Sequence, residues 1–146
     1  MTMTNAIHRP AWVPTRGHRL RVAGVHFDAV RIEGRGGETV AEWLIERADG
    51  DAGPIVCEGG GRNRWVYFLL RPGVAHRYDW PLGVQHFGRR ADRSVTYIGI
   101  PALDGDTWPL RWYSEPTPTA PYVDTEALIG ITSPGASPAV RRSPPP

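Results

Sequence analysis

Hydrophobic positions run unbroken from Trp65 to Leu70, and Arg64 to Leu70 is the most strand-like stretch of the chain. On an extended chain Trp65, Tyr67 and Leu69 point one way, and Val66, Phe68 and Leu70 the other. Both sets are apolar, so the run predicts a central strand covered on both sides. Pro72-Gly73 stops it. Upstream, Pro54 to Cys57 is a short β-branched run, and Gly59, Gly60 and Gly61 supply the backbone freedom of a tight turn. Residues 53–73 therefore predict a β-hairpin. Arg62 and Arg64 flank its glycines, a place suited to a phosphate.

The rest of the pattern is weaker. Trp12-Val13-Pro14 predicts a short edge strand, because its proline bars a central one. Thr15 to Arg21 is polar and basic and reads as a solvated loop. Val25 to Glu33 predicts a strand with imperfect alternation, and Gly34-Arg-Gly-Gly37 a turn. In Glu38 to Ala48, Val40, Trp43 and Leu44 fall at i, i+3 and i+4, with Arg47 at i+7. That spacing predicts the one clear helix, ended by Asp49-Gly50-Asp51. Strand, glycine turn, helix and strand together form a crossover unit. Val74 to Leu82 is too polar for core and too short for a helix. Gly83 to Gly88, Ser94 to Ile100 and Leu110 to Tyr113 predict further strands, and Asp124 to Ile129 a brief helix. The sum is an α+β domain, a mainly antiparallel sheet of about five to seven strands with one main helix on a face.

Length changes little in this picture, since 146 residues make one domain. Residues 1–10 read as a loose arm, 11–130 as the folded unit, and 131–146 as a disordered Pro/Ser-rich tail. One cysteine, Cys57, excludes an internal disulfide. No apolar run is long enough for a membrane span, and the first residues lack the apolar segment of a signal peptide, so a cytoplasmic location is expected. All 17 basic residues are arginine. That usage reads first as codon bias in a GC-rich genome, ahead of selection for phosphate forks. The net charge of only +2 confines any nucleic-acid affinity to a local patch.

Four stretches in order carry a resemblance. They are Trp12-Val13-Pro14; Ala29-Val-Arg-Ile-Glu-Gly34 before the helix; Gly59-Gly-Gly-Arg-Asn-Arg-Trp-Val-Tyr-Phe68; and Gly83-Val-Gln-His-Phe-Gly88 followed by Val95 to Pro101 and Arg111-Trp112. Over residues 11 to 115 this set resembles the primase–polymerase (prim-pol) domain of the archaeo-eukaryotic primase superfamily, found in replication proteins of plasmids and phages. It looks similar to short stand-alone actinobacterial relatives. The resemblance implies a prim-pol-like, RRM-related sheet. In that family two carboxylates on the first strand and one on a later strand hold divalent metal, which aligns nucleotide phosphates for attack. Here the corresponding positions are Arg31, Glu33 and Gln85, and the family's histidine corresponds to Trp65. One carboxylate in three does not make a two-metal site.

The expected function is thus a catalytically degenerate prim-pol-like domain that binds nucleic acid or nucleotide. Phosphate contacts are expected from Arg62, Asn63 and Arg64 on one turn and Arg89, Arg90 and Arg93 on another. Trp65, His86 and Tyr97 are candidates for base stacking. No cofactor is expected for such a module. An active, metal-dependent primase/polymerase is the alternative, with Glu33 as the surviving acid and Asp28 beside it, holding Mg²⁺ or Mn²⁺. A third reading is a protein-binding adaptor acting through the Pro-rich tail. Asp104 and Asp106 flank Gly105 and read as turn formers.

Overall fold

The computed structural model describes residues 9–59 and 64–133. Among the described residues seven strands form two antiparallel sheets, accompanied by two helices, an α+β arrangement. The strands are β1 (His18–Val22), β2 (Asp28–Glu33), β3 (Ile55–Glu58), β4 (Trp65–Leu70), β5 (Val84–Phe87), β6 (Tyr97–Pro101) and β7 (Leu110–Ser114). The helices are α1 (Gly34–Arg47) and α2 (Thr125–Thr132), with a 3-10 turn at Ala75–Arg77. Among the described residues no helix is long and apolar enough to cross a membrane.

The larger sheet has the order β5-β2-β4-β3-β7, and β4 is its central strand. The alternation in β4 works as expected. Val66, Phe68 and Leu70 join Val30, Ile32 and Ile55 under α1 and α2. Tyr67 and Leu69 join Ala29, Val56 and Phe27 on the other face, where Ile98 and Ile100 of β6 close over them. The hairpin β3–β4 is present with Ile55 opposite Phe68 and Cys57 opposite Val66. The crossover from β2 through α1 to β3 is also present, but β2 and β3 are not neighbours. Each pairs antiparallel with β4, which lies between them.

Several elements differ from expectation. Trp12-Val13-Pro14 is no strand: the chain turns there, Val13 N–H donates to the Pro10 carbonyl at 3.0 Å, and Trp12 packs on Phe27 with ring centroids 5.1 Å apart. Burial of Trp12 and Val13, rather than a ladder, fixes this segment. Arg9 Nη1 donates to the Val13 carbonyl at 2.9 Å, so the described end of the arm is tied to the domain. The basic stretch expected as a loop is largely β1, which pairs with β6. Its charged residues are accommodated because Arg19 is exposed and Arg21 donates through Nε to the Trp12 carbonyl at 3.0 Å.

The glycine turn before α1 is in fact its first turn. Gly34 takes φ +65° and its N–H donates to the Arg64 carbonyl at 2.8 Å. At Gly37 a Cβ would stand 2.6 Å from the Ile32 carbonyl and 2.9 Å from Val66, so only glycine lets the helix start this close to the sheet. That contact rotates the helix. Its buried line is Gly37, Ala41 and Leu44, while Val40 and Trp43 flank it. Val25 is exposed and β2 begins only at Asp28, because Gly24 N–H donates to the Phe27 carbonyl and turns the chain. Likewise β6 begins at Tyr97, leaving Val95 outside it, and runs to Pro101, which pairs with His18. Asp124 caps α2 by accepting from Ala127 N–H at 3.3 Å. The helix runs to Thr132 with Ile131 buried, so residue 131 belongs to the packed unit. The tail expected at 131–146 otherwise lies, from residue 134, outside the described residues.

Cys57 is buried, and burial pushes its thiol up from the ordinary range. In native protein, a disulfide-exchange reagent at pH 8 is expected to label it roughly 100-fold more slowly than in denaturant. Equal rates would show that β3 opens freely.

Candidate ligand-binding cleft

The helix-free face of the larger sheet is only partly covered. The β1–β6 ribbon lies over Leu69 and Val56 and leaves one end of the sheet open. There a cleft of about 390 Å³ runs between Leu20 and Tyr97 on the ribbon and Arg31, Trp65 and Tyr67 on the sheet.

Strand alternation builds this site. Arg31 and Glu33 are two apart on β2 and share a face, opposite that of Val30 and Ile32. Across the ladders Arg31 faces Tyr67 on one side and Gln85 on the other, and Glu33 faces Trp65. The positions singled out as Arg31, Glu33, Gln85 and Trp65 therefore come together at one end of one sheet face. The Arg31 guanidinium lies 4.0 Å from the Trp65 ring centroid and 5.3 Å from that of Phe87. Its Nε donates to Gln85 Oε1 at 2.8 Å, and Nη2 donates to the same oxygen. Among the described residues it forms no ion pair. Tyr67 donates to Glu58 Oε1 at 3.1 Å, and burial pushes its phenol up, so the hydroxyl stays protonated at neutral pH. The site thus holds a cation fixed in orientation by an amide and an aromatic face, with ring and aliphatic surface opposite. It suits a planar group beside a phosphate or carboxylate.

Other expected contacts fall elsewhere. Arg62 and Asn63 lie outside the described residues. Arg64 Nη1 is held by Glu38 Oε2 at 2.7 Å, which ties the strand to α1. Trp65 is half-buried and carries Arg31 on its face, so it supports the guanidinium instead of offering that face to a base. Tyr97 does stand free at the cleft wall, 58 % exposed. His86 points to the helix-covered face, 6.5 Å from the Trp80 ring, and lines a second pocket with Arg89 and Arg90. Arg90 lies 3.7 Å from Asp92, and Arg93 is exposed in the same turn with φ +65°. None of the three reaches the cleft.

The metal pairing of Asp28 with Glu33 is corrected by the fold. They are the first and last residues of β2, and Asp28 is buried, accepting from Gly73 N–H at 3.0 Å and Ala75 N–H at 2.9 Å. Among the described residues no group of three or more His, Cys, Asp or Glu is placed to hold a metal ion. Asp106 Oδ1 accepts from Trp108 N–H at 3.1 Å, as a turn former does. Leu20 was missed by sequence reasoning. The alternation of His18, Leu20 and Val22 against Arg19 and Arg21 was the available signal.

Comparison with family models, with curated proteins and with solved structures finds no match to this chain.

Proposed function

We propose that the chain is a prim-pol-like module that binds nucleotide or single-stranded nucleic acid without metal-dependent nucleotidyl transfer. One observation carries this reading. Arg31, stacked on Trp65 and held by Gln85, occupies the point on the sheet where the resemblance calls for metal-binding carboxylates. A fixed guanidinium there repels a divalent cation and attracts phosphate directly. Tyr97 across the cleft offers a ring to a base. The strand order β5-β2-β4-β3, with α1 crossing from β2 to β3, supports the RRM-related scaffold. The alternative adaptor role rests on the Pro-rich tail beyond residue 133, which lies outside the described residues.

The test is fluorescence anisotropy of a labelled single-stranded oligonucleotide, with calorimetric titration of a nucleoside triphosphate, each with Mn²⁺ and with chelator. Binding is expected to persist in chelator and to weaken about tenfold or more in Arg31→Ala. Triphosphate binding that requires Mn²⁺, or nucleotide incorporation abolished by Glu33→Ala, would restore the enzyme reading. Absence of binding to either probe would end both.

A further inference from the structure

A second pocket, about 560 Å³, opens at the β5 edge on the helix-covered face, away from the cleft. Asp28, His76, His86, Gly88, Arg89 and Arg90 line it. Asp28 is 1 % exposed. Its Oδ2 accepts from two backbone N–H groups, but Oδ1 is buried with no hydrogen-bond partner. Burying half of a carboxylate without a donor is unfavourable, and the residue that carries it lines this pocket. A Cβ at position 88 would come within 2.9 Å of Oδ1, so only glycine fits against the carboxylate there. At the mouth Arg89 and Arg90 are exposed, and Asp92, which also lines the pocket, lies 3.7 Å from Arg90 and leaves Arg89 the freer of the two. Between the two ends His86 stands beside Trp80 and supplies ring surface.

An acceptor at the floor, aromatic wall and guanidinium mouth define a ligand with an N–H donor at one end and an anion at the other. We propose that this pocket binds a nucleoside monophosphate, its base donating to Asp28 Oδ1 and its phosphate meeting Arg89 and Arg90. The volume lies in the range of small-ligand pockets. The site is independent of the cleft: it uses the other face of the sheet and none of Arg31, Trp65 or Tyr97.

The experiment is a ¹H–¹⁵N NMR titration of the full chain with AMP, GMP, CMP and UMP, and separately with inorganic phosphate. Saturable shifts are expected at the amides of Gly73, Ala75, His86 and Gly88, with at least one nucleotide binding about tenfold more tightly than phosphate. Asp28→Asn keeps an acceptor for Gly73 and Ala75 and places an NH₂ at the orphan position. It should cost that nucleotide about tenfold and leave phosphate unchanged. Arg89→Ala with Arg90→Ala should weaken both ligands, whereas Arg31→Ala should alter neither here. Shifts confined to the cleft, phosphate binding as tightly as every nucleotide, or unchanged binding in Asp28→Asn would overturn the proposal. If Asp28→Asn does not fold, the double arginine variant decides, since both residues are exposed, and unchanged affinity there would overturn it equally.

Discussion

Truncation of Phe68 to alanine is expected to destabilise the protein by about 3–5 kcal/mol, a large share of the stability of a domain this size. Phe68 sits in the middle of β4, fully buried. Its register partners on the two neighbouring strands are Val30 and Ile55, both also fully buried. The three side chains form a row across the sheet beneath α1 and α2. Three strands hold their backbones at ladder spacing, so neither neighbour can collapse into the space a benzyl group leaves. The loss therefore includes a cavity as well as transfer energy. Leu69→Ala on the opposite face should cost about 2–5 kcal/mol for the same reasons. Leu82, fully exposed, is the control, and Leu82→Ala should change little. Equilibrium urea unfolding checks all three. A Phe68→Ala shift below about 1 kcal/mol would mean that β4 is not the strand on which both halves of the core rest.

Gly53→Ala is expected to rival this with a single added methyl. Gly53 takes φ +89°, where an L side chain is strained. A Cβ there would stand 2.6 Å from the Tyr122 carbonyl oxygen and 2.7 Å from its carbon. Both are backbone atoms, so no side-chain rotation relieves the clash. Moving Tyr122 away is costly too, because the next residue, Val123, is buried and donates its N–H to the Leu69 carbonyl at 2.9 Å. Alanine's lower unfolded-state entropy offsets at most about 1 kcal/mol. A net loss above about 3 kcal/mol follows. The readout is the urea midpoint together with amide exchange at Val123. Retained protection at Val123 with a small midpoint change would contradict it.

The central strand was legible because large apolar residues run without a break from Trp65 to Leu70, too short a run for a helix and stopped by Pro72-Gly73, so both of its faces had to be covered. The gathering of Arg31, Glu33, Gln85 and Trp65 was also within reach, since it needs only the period of two and the order of strands. What escaped depends on long-range packing. Nothing near Asp28 in the chain announces Gly73 and Ala75 as its donors, 45 and 47 residues away. Val25 and Phe27 look like strand, yet Phe27 is buried by Trp12 and Ile98 while Val25 faces solvent. Phosphate contacts were expected from the arginines of two turns. Which face a turn serves depends on register, and Arg64 was taken by Glu38 while Arg89 and Arg90 went to the far edge.

The place of β4 between β2 and β3 fixes an order of events during synthesis. A nascent chain that has emerged as far as Gly59 contains two strand segments of the larger sheet and the helix between them, and those two segments never pair with each other. Until residues 65–70 leave the ribosome, each exposes open backbone groups to whatever strand it meets. Insertion of β4 then satisfies one edge of each at once and forms the three-stranded centre to which β5 and β7 are added later, and the short glycine-rich link between Glu58 and Trp65 keeps the loop that β3 and β4 must close small.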